Sequence, residues 1–598
     1  MALRKHNYKI VWKDIFEKSD IWPIKIVKSI LKRNKKYIIF RNGATPSGIL
    51  HIGNANEAIR NFLVALCIKE YTNNFLLVFS LDEEDPFSKV PNFILDEKGS
   101  RVRVSTKMRD QLEKYLGYPL YEVPDPYNCH KSYTEHFYSF FFEDLRNLGI
   151  EIDDIDNLQF GSLKIYVYKK SKFYKENKKI IKKILENADK ISAILRKYKE
   201  RFIVKYPAHV VCRKCNRLLG EILEFNGNYI EYECKDREIK RNIVKGCGYK
   251  EKISYDDAEI KLNWIPEWVV LDWFFWILNY GENILIVEPM GKDHYIGSLP
   301  PAKELLKEVA KIFDKNVSEN NFLWYMYEFF LVNGEKMSGS KGNVYTIRDL
   351  LSIWEKEIVI YFYVRNLTKQ VNIDMKNAFS VVNEFDNLEK NAFQILNKIK
   401  SGELNEKELT KDDSNMLTTY YLSMLGKIPE TRPRRLNYIT AAVTGILYNN
   451  DKTLIKKMLE EQMNLEYWEI EMNINRILRA AYWLKNFAPS ILKEKYMIKI
   501  QDKKIDIELD DIERKIIEDI VNYLESTVIW DPDKIYNDVS EIINNYIPPI
   551  KENKERRRQV FAKLYKILTG KDSGPKIGTL FFAAGKKSID ILKMYLRN

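Results

Sequence analysis

Two stretches of this chain combine histidine, glycine, serine and lysine at spacings suited to gripping a triphosphate. The first, Pro46-Ser47-Gly48-Ile49-Leu50-His51-Ile52-Gly53-Asn54, follows the apolar run Tyr37 to Phe40 and precedes Ala55, Ile59, Phe62, Leu63 and Leu66 at helical spacing. That order predicts strand, glycine-rich turn and helix. Glycine lets backbone approach phosphate closely, and a helix start offers unpaired N–H groups and a positive dipole end to an anion. His51 and Asn54 stand where they can donate to phosphate. The second stretch, Lys336-Met337-Ser338-Gly339-Ser340-Lys341-Gly342-Asn343, is a polar loop after the apolar run Phe322 to Val332. Lysines on such a loop neutralise charge during phosphoryl transfer. Taken singly, each stretch is more often a plain turn or a solvated loop; their joint occurrence is the signal.

Metal chemistry is suggested at two further places. Four of the six cysteines fall in one window, as Cys212-x-x-Cys215 followed by Cys234 and Cys247, with Asn226-Gly227-Asn228 between the pairs as a hairpin turn. A two-residue spacing lets both thiolates of a knuckle reach one tetrahedral zinc, and the hairpin returns the other two. The alternative is four reduced thiols in a small β module, because twelve residues separate the second pair. The other place is Asp125, Cys129, His130 and His136, ahead of and within a helix whose apolar stripe is Phe137, Phe140, Phe141, Leu145 and Leu148. Cys129 and His136 are seven positions apart, which puts both on one face if the helix begins early enough. Zinc accepts such a mixed set, and a hydrogen-bonded core histidine is the competing reading. Six cysteines in so long a chain do not make a disulfide framework.

These groups need elements to hold them. With 598 residues the length prior suggests about four domains. Apolar residues are 45% and charged residues 30%, with no stretch long enough to span a bilayer and no signal-peptide core at the N-terminus. A soluble, cytoplasmic protein is expected. A net charge of +13 suits a polyanionic partner such as nucleic acid, or else reflects a compositional bias towards lysine. The runs Tyr37 to Phe40, Phe75 to Leu81 and Ile284 to Val287 are short, bounded by turn residues and separated by helical stretches. They predict an α/β fold with a doubly wound parallel sheet of Rossmann type, whose ligands bind beyond the carboxyl ends of the strands. Asp82 to Asp85 and Gly291 to His294 follow those ends. Residues 164–205 read as a lysine-rich amphipathic helical stretch, and the chain from about 376 onward as almost wholly helical. Arg432, Arg434 and Arg435, and Lys554 with Arg556 to Arg558, are basic clusters suited either to phosphates or to a solvated helix face.

The paired signatures, in this order, resemble the HIGH and KMSKS motifs of class I aminoacyl-tRNA synthetases. Here the first reads His-Ile-Gly-Asn; in the second Gly339 takes the place of the expected lysine, so the charge falls to Lys341. Arg41 to Gly48, Lys89-Val90-Pro91, Glu122 to Pro126 with Cys129-His130 and Tyr133 to Phe137, Asp272-Trp273, Glu288 to His294, and Gly574-Pro575-Lys576-Ile577-Gly578 narrow the likeness. Together they resemble class I lysyl-tRNA synthetases from end to end.

The resemblance implies ligation of lysine to tRNA(Lys) through a lysyl-adenylate, with ATP, Mg²⁺ and two zinc sites, by a monomer that needs no membrane. It assigns catalysis to His51, Asn54, Lys336 and Lys341, and ATP contacts to Pro46, Ser47, Gly48, Gly53, Met337, Ser338, Ser340 and His294. Amino-acid contacts fall to Gly43, Thr45, Asp272, Trp273 and Asp293. Asp125, Cys129, His130 and His136 form one zinc set; the second, a Cys and His mixture in the family, is here Cys212, Cys215, Cys234 and Cys247. The implied division is 1–110 and 261–330 for the halves of the nucleotide-binding domain, 111–260 for a zinc-bearing insertion, 331–375 for the KMSKS-type loop region, and 376–598 for an all-α anticodon-binding domain. Phe274 replaces the family's proline after Asp272-Trp273, and the stretch to Glu288-Pro289 is longer, so side-chain specificity is the part that departs most. Other class I synthetases, for glutamate, arginine or cysteine, and a non-catalytic tRNA-binding paralogue are the competing readings.

Overall fold

The structure is a computed structural model and describes residues 10–198, 205–239, 242–332, 334–337, 344–365 and 367–596. Its central sheet grows from runs that are apolar at successive positions rather than alternate ones, because both faces of a parallel sheet are covered by helices. Phe75 to Leu81 is buried at every position. Six strands, β1 (Tyr37–Ala44), β2 (Phe75–Leu81), β3 (Glu151–Asp154), β4 (Lys164–Lys169), β5 (Ile284–Gly291) and β6 (Phe322–Tyr327), lie in the order β6-β5-β1-β2-β4-β3. All five pairings are parallel, and Ile39 stands between Ile286 and Leu76. The chain runs outward from β1 to β2 on one side and to β5 and β6 on the other, so the order reverses between β1 and β5. The crevice beyond the carboxyl ends at such a reversal is where open α/β sheets bind ligands. Helix α1 (Ile52–Ile68) leaves the turn after β1 and packs its apolar face on the sheet.

Two expectations need correction. Residues 164–169 are strand β4, not helix: Tyr166 and Tyr168 are about 1% exposed within the core. Flanking lysines at 164, 169 and 170 hide the strand's Ile-Tyr-Val-Tyr run, and helices Lys170–Glu176, Lys178–Glu186 and Ala188–Arg196 begin only afterwards. With β3 and β4 in the central sheet, residues 111–260 are not wholly an insertion. Between β4 and β5 the chain builds a five-stranded antiparallel sheet, ordered Lys250–Ser254, Tyr229–Cys234, Gly220–Phe225, Ala208–Val210, Ile260–Leu262. Its central hairpin turns at Asn226-Gly227-Asn228, where Gly227 adopts a φ of +90° that a side chain would strain.

Contacts divide the chain into one compact unit of residues 1–348, 359–373 and 395–427, and another of 349–358, 374–394 and 428–598. The second is helical. Helices Tyr438–Leu447 and Tyr467–Asn486 cross so closely at Gly445 that an added Cβ would lie 2.6 Å from that of Ala481. Of the basic clusters, Arg435 is turned inward onto Glu389 at 3.0 Å, whereas Arg434 stays half exposed while bonding Glu469 at 2.5 Å, and Arg432 and Arg558 are exposed. Arg556 holds Asp510 and Glu513. Among the described residues no helix is long and apolar enough to cross a membrane.

Candidate active site and metal centres

A cleft of about 430 Å³ opens at the reversal between β1 and β5. Gly43, Ala44 and Thr45 enter it from the end of β1, His51, Gly53 and Asn54 from the start of α1, and Met290, Gly291, Asp293 and His294 from the end of β5. Lys336 and Met337 form part of its wall although they lie far away in sequence. Pro46, Ser47 and Gly48 form the connecting turn and do not line the cleft. Ser338, Ser340 and Lys341 fall outside the described residues.

His51 is the N-cap of α1: its Nδ1 accepts from the Gly53 N–H at 3.0 Å, and Asn54 Oδ1 accepts from the His51 N–H at 3.0 Å. This reciprocal capping fixes both side chains. Because Nδ1 accepts, the ring proton sits on Nε2, and burial lowers the ring's pKa to about 4. His51 is therefore a neutral donor at physiological pH. Glycine is required two residues on, since a Cβ at Gly53 would come within 2.7 Å of the His51 ring. Lys336 pairs with Asp293, and its ammonium lies 3.8 Å from the Phe329 ring centroid. Burial depresses the pKa of His294, whose ring lies 5.2 Å from that of Trp264.

A layer of buried ions forms the floor of the cleft and continues behind it. Arg41 holds Glu288 at 2.5 Å and Asp272 at 2.6 Å; Lys170 holds Asp82 at 2.7 Å and Glu267 and Asp272 at 2.9 Å. Asp272 also accepts from Tyr168 at 2.9 Å and is 1% exposed. Trp273 is fully buried, donating to Glu288 at 2.6 Å. Neither Asp272 nor Trp273, expected to contact the amino acid, lines the cleft: both are lodged behind Arg41 and Glu288. The aromatic wall comes from Trp264 and Trp268, stacked at 5.4 Å and 13°. Trp268 opens a π-helical turn, Trp268–Phe274, in the region that departs from the family pattern. Such turns shift the register of a helix by one residue and cluster at functional sites.

Sequence reasoning also missed Glu57. It lines the cleft, accepts from Tyr327 Oη at 2.9 Å, and has its pKa pushed up to about 8 by burial and by neighbouring Glu288. The signal was present: Glu57 follows Asn54 by three, which puts both on one face of the first turns of α1.

Both candidate metal sets come together. The four thiols lie within 4.8 Å of one another, with Cys212···Cys247 and Cys215···Cys234 both 3.7 Å apart. Thiolates about 2.3 Å from zinc at tetrahedral angles stand about 3.8 Å apart, whereas a disulfide is about 2.05 Å. The donor set fits zinc. In the second set the Cys129 sulfur is 3.2 Å from Asp125, 3.1 Å from His130 Nδ1 and 3.3 Å from His136 Nδ1. Helix α2 (Tyr133–Asn147) starts after Cys129, so the thiol comes from the turn and only His136 from the helix. Asp125 shapes that turn by accepting from the N–H groups of Tyr127, Cys129 and His130. His136 Nε2 lies 2.9 Å from the Leu95 carbonyl, which fixes its proton there and turns Nδ1 to the other donors.

Similarity to known proteins agrees with this geometry. A curated lysine–tRNA ligase of Pyrococcus horikoshii is 28% identical across 96% of this chain and 99% of its own. That of Haloarcula marismortui is 24% identical across 93% and 94%. A solved structure titled a putative arginyl tRNA synthetase, from Campylobacter jejuni, covers 80% of this chain at 12% identity and a TM-score of 0.33, too loose a likeness to carry an argument. The model of the family described as tRNA synthetases class I (K) matches residues 20–420, well over half the chain, and the protein belongs to that family.

Proposed function

We propose that this protein ligates lysine to tRNA(Lys) at the expense of ATP. The lysine carboxylate attacks the α-phosphate, pyrophosphate leaves, and the lysyl group passes from the adenylate to the terminal ribose. The observation that carries this reading is the convergence of His51, Asn54 and Lys336 on one cleft at the strand reversal, in a chain of this family. Both steps depend on placement and charge stabilisation more than on covalent help from the protein. His51 Nε2–H and the Asn54 amide, whose oxygen is tied to the helix cap, donate to phosphate oxygens. Lys336, with Lys341 of the same sequence motif, neutralises the phosphates, aided by Ser338, Ser340 and Met337. Mg²⁺, when bound with ATP, adds further positive charge.

Gly43 and Thr45 face the α-amino end of the amino acid. A side chain at Gly43 would collide with Ser80, and the Thr45 hydroxyl is aimed by Asp85 at 3.0 Å. Arg41 and Lys170 already neutralise Asp272. Glu57, which has no cation within salt-bridge distance among the described residues, takes the substrate's ammonium, with the indole faces of Trp264 and Trp268 beside it. Each donor set holds one structural zinc that pins its loop. The basic chain binds tRNA, with the helical unit receiving the anticodon.

Aminoacylation of total tRNA with each proteinogenic amino acid in turn tests this: lysine alone should give a product, and charging with glutamate, arginine or cysteine instead would replace the reading. His51→Ala should slow charging by about 10²–10³-fold, the cost of losing one preorganised donor, with tRNA affinity unchanged. Parallel loss of tRNA affinity would favour a binding protein without catalysis.

A further inference from the structure

The residues that follow the second signature are held from two sides. The Val344 carbonyl accepts from the Arg101 guanidinium at 2.6 Å, and the Tyr345 carbonyl accepts from the Ile52 N–H at 2.9 Å. Ile52 is the first residue of α1, directly after His51, and the first N–H of a helix has no acceptor within that helix. The segment beyond the second signature is thus bonded to the start of the helix that carries the first.

Arg348 fixes this segment in place. Its Nε donates to Asp144 of α2 at 2.9 Å, and its backbone N–H donates to the same carboxylate at 3.3 Å. The two terminal nitrogens donate to the carbonyls of Gly99 at 3.4 Å and Phe140 at 3.2 Å, and the guanidinium lies 4.7 Å from the Phe140 ring centroid. Asp144 is buried, so these charge-assisted bonds are shielded from water. Gly99 leaves the space they need, since a side chain there would collide with the guanidinium. The hairpin of strands Phe93–Leu95 and Arg101–Arg103, which turns at Gly99, supplies both Arg101 and the Leu95 carbonyl that orients His136. Phe140 packs against the His136 ring at 5.3 Å. Arg101 and Arg348 therefore brace residues 344–348 against the hairpin and helix that surround the second candidate metal set. None of Arg101, Asp144 and Arg348 lines the cleft.

We propose that Arg348 is a positioning residue for nucleotide activation: through Tyr345 it sets where α1 begins, and so holds His51 and Asn54 at their working distance from Lys336. On the other flank Lys336 is kept in place by the pairing of Glu335-Lys336 with Leu331-Val332. The consequence for catalysis rests on the function proposed above, whereas the mechanical link does not. A misplacement of about 1 Å at reacting groups costs about 10²-fold in rate.

Hydrogen exchange read by mass spectrometry tests the link without ATP, lysine or tRNA. Peptides covering 344–348 and the start of α1 should exchange about tenfold or more faster in Arg348→Ala than in the wild type, with β2 unchanged. Arg348→Lys, which returns a cation to Asp144, should fall between the two. In single-turnover charging Arg348→Ala should be about 10- to 10²-fold slower, with the lysine concentration for half the rate within about twofold of wild type, and Arg348→Lys again intermediate. Unchanged exchange, unchanged charging, or a loss seen only as a higher lysine requirement overturns the proposal. A wild-type chain that charges no lysine yet shows the exchange difference supports the link while refuting the function. Should Arg348→Ala lose its fold by circular dichroism, Arg101→Ala, at an exposed side chain, takes its place with the same expectations.

Discussion

Glu57 illustrates how burial sets the chemistry of a single side chain. Its carboxyl, ordinarily near 4.5, is pushed up to about 8 by burial and by Glu288, so at neutral pH the free protein holds it mostly protonated. A folded-state pKa above the unfolded one means the native chain binds the extra proton between about 4.5 and 8, so this group lowers stability as pH rises through that window and no further above it. Substrate binding inverts the balance, because an ammonium favours the ionised form and expels the proton. Lysine affinity should therefore rise with pH, approaching tenfold per unit, up to about pH 8 and then level off. Calorimetry in buffers of different ionisation heat should register proton release, and Glu57→Gln should flatten the profile and weaken lysine by about tenfold or more. A flat profile in the wild type refutes the assignment. His51 and Asn54 were legible in the sequence because their geometry is local: each caps the other across three residues. The neutralisation of Asp272 by Arg41 and Lys170 was not legible, because it is made across long sequence separations.

The same contrast between local and distant contacts holds for whole elements. Cysteine pairs and the hairpin turn between them announced the four-thiol cluster, since two-residue knuckles and Asn-Gly turns are short-range signals. Strand β4 was hidden because its neighbours in the sheet, β2 and β3, supply the burial that its lysine-flanked sequence does not advertise. The π-turn at Trp268–Phe274 was unreadable too, because no residue type signals one. The metal sets make an element-scale prediction. Plasma emission on the purified chain should find two zinc ions per molecule, falling to one for the Cys212→Ser/Cys215→Ser double variant. Chelation should lower the melting temperature and open the four clustered thiols to a thiol reagent, because structural zinc contributes directly to folding. Full zinc content in the double variant would show that the thiols hold no metal.

At the scale of the molecule, the helical unit does not coincide with a stretch of sequence. Periodicity placed its start at 376, yet residues 349–358 and 374–394 pack with 428–598. Charge explains why the earlier residues belong. Arg435 and Arg476 are buried side chains of the C-terminal helical segment, and their partners lie upstream: Glu389 at 3.0 Å from Arg435, Glu355 at 3.1 Å from Arg476, and Asp386 against the Arg476 guanidinium. Tyr438 donates to the Ile353 carbonyl at 2.6 Å and Trp483 to that of Met375 at 2.9 Å, closing the same seam. A chain cut to 428–598 would retain both guanidinium groups and lose every one of these partners. Removing one partner of a buried pair costs about 3–5 kcal/mol, and two such losses rival the 5–15 kcal/mol that holds a typical domain together. The fragment 428–598 should therefore show no cooperative thermal transition by circular dichroism, whereas 349–598, which restores Glu355, Asp386 and Glu389, should melt cooperatively. Replacing Arg435 and Arg476 together by methionine in the short fragment should recover part of the transition, because the uncompensated charges are then gone. A cooperative melt of unaltered 428–598 would mean that the upstream carboxylates are dispensable and that the helical unit is defined by apolar packing alone.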